Sequence, residues 1–150
     1  MKVETTGKSD YSTLIEIWED SVRATHDFLQ EEDIVILKPL ILEQYFDSVD
    51  LMCAKNEDGK ILGFCGVLNG NIEMLFIAPE SRGSGVGTFL TKYAIENLGV
   101  TKVDVNEQNL QALEFYKHLG FTVVGRSPLD GQGKPYPLLH MELDKINKLR

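Results

Sequence analysis

Three apolar segments, VDLMCAK, ILGFCGVL and IEMLFIA, occupy 49–55, 61–68 and 72–78 with almost no chain between them. NEDGK joins the first two, with Asp58-Gly59 as the hairpin signal, and Asn69, Gly70 and Asn71 join the second pair. Parallel neighbours need a crossover of about a dozen residues or more, so these three strands must form an antiparallel meander. Pro79 stops the third strand. RGSGVG follows at 82–87, and then a helical pattern with Val86, Leu90, Tyr93, Ala94 and Leu98 on its buried side, ended by Gly99. KVDVN is therefore a strand reached through a helix, which is a parallel βαβ unit.

The remaining segments complete the pattern. KVETT reads as a first strand. Asp10 is placed to cap a helix running through LIEIWEDSV, with Leu14, Ile17, Trp18 and Val22 on one face. ATHDFLQEED interrupts that pattern. A second helix, or a broken pair, covers 31–46, with Pro39 marking a start or a kink. A helix over 109–119 ends at Gly120, and FTVVGRS and PLLHMEL are two final strands joined by PLDGQGKPY. The order β-α-α-β-β-β-α-β-α-β-β predicts an α/β fold, a mixed sheet covered by helices, in one domain over 1–150.

Composition excludes several classes. The net charge of −8 is the wrong sign for a phosphate-backbone binder, so nucleic acid is not an expected partner. No apolar run approaches the roughly 18 residues of a membrane span, and MKVETTGKSDY lacks the apolar core of a signal peptide. Cys53 and Cys65 lie in separate apolar segments and read as buried thiols of a cytoplasmic chain. The three histidines show no metal-ligand spacing, so no metal is expected.

Two stretches carry chemistry. In RGSGVG, Arg82 and the backbone N–H groups before a helix suit an anion, while an ordinary strand-to-helix turn would also use these glycines. The pattern is GxGxG after a meander, not the GxGxxG of a dinucleotide site, and Val86-Gly87-Thr88 lacks the lysine of a P-loop. In VDVNEQNLQALEFYKHLGF, Asn106 closes a strand and Asn109 opens a helix. Tyr116, seven residues on, lies nearly in line with Asn109 at about 10 Å. Asn109 as a helix cap and Tyr116 as a core tyrosine satisfy the same spacing.

Taken together, the two stretches resemble the GNAT superfamily of acyl-CoA N-acyltransferases. Arg82, Gly85 and Gly87 match its Arg/Gln-x-x-Gly-x-Gly/Ala hallmark. Asn106, Asn109, Ala112, Phe115, Tyr116, Gly120 and Phe121 match its later N…N..A..FY...GF pattern. IWEDSVRATHDFL, MLFIAPESRGSGVG and GRSPLDGQGKPYPLLHM extend the likeness to the bacterial YjaB-type acetyltransferases over nearly the whole chain.

The resemblance implies a mixed, mostly antiparallel sheet of about seven strands with a splayed central parallel pair. It also implies acetyl-CoA as cosubstrate and direct transfer of its acetyl group to a primary amine, protein lysine or a small molecule such as a polyamine, amino acid or aminoglycoside. A non-catalytic CoA-binding module is the reading from another class. The backbone of Met74, Leu75, Phe76 and Ile77 would pair with the pantetheine arm. The N–H groups of Arg82, Gly83, Ser84, Gly85, Val86, Gly87 and Thr88 would hold the pyrophosphate. Asn106, Asn109 and Ala112 would lie along the thiol end, with Tyr116 as general acid. Glu73 and His26 are the candidates for the base, and His140 is a weaker one beside a sheet-packing reading. His118 reads as a helix-end residue, Tyr136 as an acceptor contact or a loop anchor, and Trp18 and Phe28 as core or cleft wall. A homodimer is common in the superfamily, and no stripe in this sequence requires one.

Overall fold

Asp58-Gly59 and Asn69-Gly70 turn the chain where the sequence predicts. Gly59 and Gly70 have φ of 81° and 77°, and Asn69 joins them at 51°. A computed structural model describes residues 1–25, 29–131 and 133–144. These include strands β1 (Lys2–Thr5), β2 (Asp50–Lys55), β3 (Ile61–Leu68), β4 (Asn71–Ile77), β5 (Lys102–Asn106), β6 (Phe121–Ser127) and β7 (Leu138–Leu143). The helices are α1 (Tyr11–Thr25), α2 (Glu31–Leu40), α3 (Val86–Leu98) and α4 (Leu110–His118). The fold is α/β: a seven-stranded mixed sheet, mostly antiparallel with one parallel pair, flanked by helices. The chain divides into two compact units, Met1–Val100 and Thr101–Arg150.

In the first unit, β1 to β4 pair antiparallel in sequence order. Side chains alternate across this sheet. One face carries Leu51, Cys53, Phe64, Met74 and Phe76 into a core with Leu14, Trp18 and Val22 of α1, Ile34 of α2, and Phe46. Phe64 is fully buried, with Phe46 and Phe76 each 5.7 Å away between ring centroids. Helix α3 covers β2, β3 and β4 through Val86, Leu90, Thr91 and Ala94. Tyr93 and Leu98, expected on that side, are only half-buried.

One local expectation needs correction. Asp10 does not cap α1: it closes a preceding 3-10 turn, and its carboxylate accepts a hydrogen bond from the Gly7 N–H at 3.0 Å. Pro39 lies inside α2 and does not start it. The missing N–H removes one rung of the ladder, and the helix passes into a π-helical turn at Ile41–Tyr45. Prolines and π-helical turns are the usual places at which a helix bends.

In the second unit, β7 lies between β5 and β6 and is antiparallel to both. Val103, Val105, Met141, Leu143 and Phe121 are buried, and α4 packs on β6. Cys53 and Cys65 are free and buried. Burial pushes the Cys65 thiol up to about 12, so it stays protonated and unreactive near neutral pH.

Candidate active site

The segment from β4 to α3, in the first unit, carries one group of candidate residues. Met74, Leu75, Phe76 and Ile77 are half-buried and lie opposite Gly66, Cys65, Phe64 and Gly63 of β3. Gly63 is required here, because a Cβ would sit 2.8 Å from Ile77 Cδ1 and 2.9 Å from the Phe76 carbonyl. Glu73 is the extra residue of a β-bulge: Gly66 faces Met74, the next residue Val67 faces Ile72, and Glu73 is exposed. A bulge turns its side chain out of the regular alternation.

A 3-10 turn, Pro79–Ser81, leads from β4 into the glycine loop, and the Ser84 hydroxyl donates to the Ser81 carbonyl. Gly83 and Gly85 have φ of 78° and 88°, a region that other residues avoid. Gly85 is the N-cap of α3 and offers no side chain to the first-turn N–H groups. The first ladder bond runs from the Phe89 N–H to the Gly85 carbonyl at 2.9 Å, which leaves the amides of Val86, Gly87 and Thr88 for an outside acceptor. A Cβ at Gly83 or Gly85 would meet nothing within 4 Å, and Arg82 is exposed beside them. Backbone donors, a positive helix end, an arginine and open space suit a phosphate-bearing ligand.

The β5–α4 corner is fixed by its asparagines. Asn106 Oδ1 accepts from the Gln108 N–H at 2.9 Å, and Asn109 Oδ1 caps α4 by accepting from the Ala112 N–H at 3.1 Å. Glu107 and Arg126 form a bidentate pair at 2.9 and 3.1 Å, which holds the Glu107 carboxyl below its ordinary range. Tyr116 is buried, with Phe115 and Phe121 edge-on at 5.0 and 5.6 Å between ring centroids. The capping reading of Asn109 and the core reading of the Tyr116 ring are thus both correct as structure.

His26 and Phe28 lie outside the described residues. His118 is exposed in the last turn of α4, as expected, and Trp18 is core. Tyr136 is half-buried in a loop that bonds to itself, from the Lys134 N–H to Asp130 Oδ1 at 2.9 Å and from the Tyr136 N–H to the Lys134 carbonyl at 2.8 Å. His140 is not merely a sheet-packing residue: its Nδ1 is 2.6 Å from Asp104 Oδ1 and its Nε2 is 2.7 Å from Ser127 Oγ. The sequence reading missed these partners. The polar alternation Lys102, Asp104, Asn106 along β5 was the available signal for one of them. Among the described residues, no three His, Cys, Asp or Glu side chains come together to hold a metal ion. Within the same residues, no helix is long and apolar enough to cross a membrane.

Residues 26–144 match the family described as "Acetyltransferase (GNAT) domain", and the chain belongs to that family. It is an acetyl-CoA-dependent N-acetyltransferase. The chain is 43% identical to peptidyl-lysine N-acetyltransferase YjaB of Escherichia coli (strain K12) over 128 residues, 85% of this chain and 86% of that protein. It is 41% identical to the YjaB protein of Salmonella typhimurium, again over 85% of this chain and 88% of the relative. The solution structure of apo YjaB from Escherichia coli superposes with a TM-score of 0.84 at 39% identity, covering 94% of this chain and 95% of that one.

Proposed function

We propose that this enzyme acetylates the Nε-amine of lysines in proteins. The observation that carries this reading is the similarity, over 85% of the chain, to two relatives described as peptidyl-lysine N-acetyltransferases. A net charge of −8 favours a cationic acceptor and disfavours nucleic acid and anionic membranes as partners. The reading includes a cytoplasmic location, which two free, buried cysteines support. It treats residues 1–150 as one catalytic domain.

Acetyl-CoA supplies the acetyl group as a thioester. In this reading the backbone of Met74, Leu75, Phe76 and Ile77 binds the pantetheine arm. The N–H groups from Arg82 to Thr88, with the Arg82 charge, hold the pyrophosphate. The positive φ at Gly83 and Gly85 and the open space before them support that assignment. The amides of Asn106 and Asn109, and Ala112, border the thiol end. The Leu75 N–H stabilises the thioester oxygen as it gains charge. Tyr116 gives a proton to the departing sulfur. Its packed ring supports the role, because a general acid needs a fixed position. Glu73, exposed at the β4 bulge, and His26 are the groups proposed to take the proton of the attacking amine, which reacts only when neutral.

The test is acetyl-CoA consumption across lysine peptides, polyamines, amino acids and aminoglycosides, with each product identified by mass. Lysine peptides as the best acceptors support the proposal. Saturation by one small amine instead would make it a small-molecule transferase, and no turnover above hydrolysis would leave a CoA-binding module. Light scattering on the same samples measures whether the enzyme is a homodimer.

A further inference from the structure

Asp104, His140, Gly125 and Ser127 share one face of the second unit. Asp104 on β5 lies opposite His140 on β7, and Gly125 on β6 lies opposite His140 from the other side. Ser127, two residues beyond Gly125, shares its face. That register depends on a bulge, since Val123 faces Met141 while Gly125, two residues later, faces the adjacent His140. Without the extra residue, Val124 would lie against the imidazole. Gly125 has no side chain there, and a Cβ on it would make ordinary van der Waals contact, 3.5 Å from His140 Cδ2.

The hydrogen-bond directions follow from the partners. Asp104 Oδ1, 2.6 Å from Nδ1, can only accept when ionised, so Nδ1 carries the proton and donates. In the neutral ring Nε2 is then the acceptor. It receives the Ser127 hydroxyl proton across 2.7 Å. Serine, base and orienting carboxylate are thus linked in the order used by serine nucleophiles on unrelated folds. Ser127 is half-buried, and the side chains of His140 and Asp104 are 37% and 41% exposed, so a small electrophile can reach the group.

We propose that Ser127 is a nucleophile activated by His140 and Asp104, able to take an acyl group from a reactive ester or thioester. Oγ forms a bond to the acyl carbon, and the carbon–oxygen or carbon–sulfur bond of the donor breaks. The Oγ proton passes to Nε2 and from there to the leaving alkoxide or thiolate. Asp104 holds the ring and balances the imidazolium charge. Because the carboxylate is partly solvated, the acceleration falls at the lower end of the roughly 10²–10⁴-fold range of general-base catalysis.

The test uses the full chain and diisopropyl fluorophosphate, whose phosphorus bonds to Oγ as fluoride leaves, giving a stable adduct. Intact mass and peptide mapping should find one adduct, at Ser127. Ser127→Ala should abolish it, and His140→Gln and Asp104→Asn should each slow it at least about tenfold, with melting temperatures close to the unsubstituted enzyme. Asp104→Asn keeps the question open to refutation if His140→Gln fails to fold. No adduct, an adduct at another residue, or Ser127 labelling at an unchanged rate in the His140 or Asp104 variant would overturn the proposal.

Discussion

Gly85 and Gly99 stand at opposite ends of α3 and allow a matched experiment. Gly85 has φ 88° at the N-cap and Gly99 has φ 66° at the C-cap. A Cβ meets nothing within 4 Å at either position. Leucine at either site therefore costs mainly the left-handed backbone penalty, about 1–2 kcal/mol. In a chain of this size each kcal/mol lowers the melting temperature by about 2–4 °C. Only at Gly85 would the new side chain occupy the space in front of the first-turn amides. A hydrogen bond to a charged group is worth about 1.5–3 kcal/mol, so losing one such contact weakens CoA binding by roughly 10–150-fold. Calorimetric titration with CoA, beside thermal melting, reads both effects. The expected result is similar destabilisation of Gly85→Leu and Gly99→Leu, with affinity lost in Gly85→Leu alone. Equal CoA affinity in the two folded variants would refute the assignment of the 82–88 loop to the pyrophosphate.

Three further outcomes follow from other parts of the chain. Tyr116→Phe keeps the ring against Phe115 and Phe121 and removes the hydroxyl, so kcat should fall at least about tenfold while acetyl-CoA affinity holds; stopped-time assays beside direct titration separate the two. Gly63→Ala drives a Cβ to 2.9 Å from the Phe76 carbonyl and should cost about 1–3 kcal/mol, read from urea midpoints. Lys38 and Arg23 hold the Glu19 carboxyl below its ordinary range, and Arg23 does the same for Glu31. These folded-state pKa values are depressed, so the stabilisation is complete above the ordinary carboxylate range and is lost as pH falls through the lowered values. Arg23→Ala should flatten the acid limb of stability against pH, by a small amount because the charges are exposed.

The parts of the fold that read correctly from sequence are those set by local chemistry. The meander followed from two turns short enough to permit one geometry, and the glycine loop from residues adjacent in the chain. Features that depend on register did not read. Glu73 is exposed because of a bulge at Gly66–Val67, which nothing in IEMLFIA announces. His140 meets Asp104 and Ser127 across 36 and 13 residues, and a second bulge brings Gly125 opposite its ring. Pro39, expected at a start or a kink, lies inside α2 one residue before its end, where the helix passes into a π-helical turn. In the sequence, Asn109 and Tyr116 fit both a structural and a functional reading. Their structural roles are visible as a cap and a packed ring.

Acetyl transfer to the lysine side chain is the activity proposed for this enzyme. Its most direct measurement is the mass and fragmentation of an N-terminally blocked peptide with one lysine, incubated with the enzyme and isotopically labelled acetyl-CoA. One labelled acetyl group is expected on the lysine Nε, absent from the same peptide carrying arginine in place of lysine and at least about tenfold slower to appear with Tyr116→Phe. An unmodified peptide under conditions where the enzyme binds acetyl-CoA, or equal labelling of the arginine peptide, would contradict it.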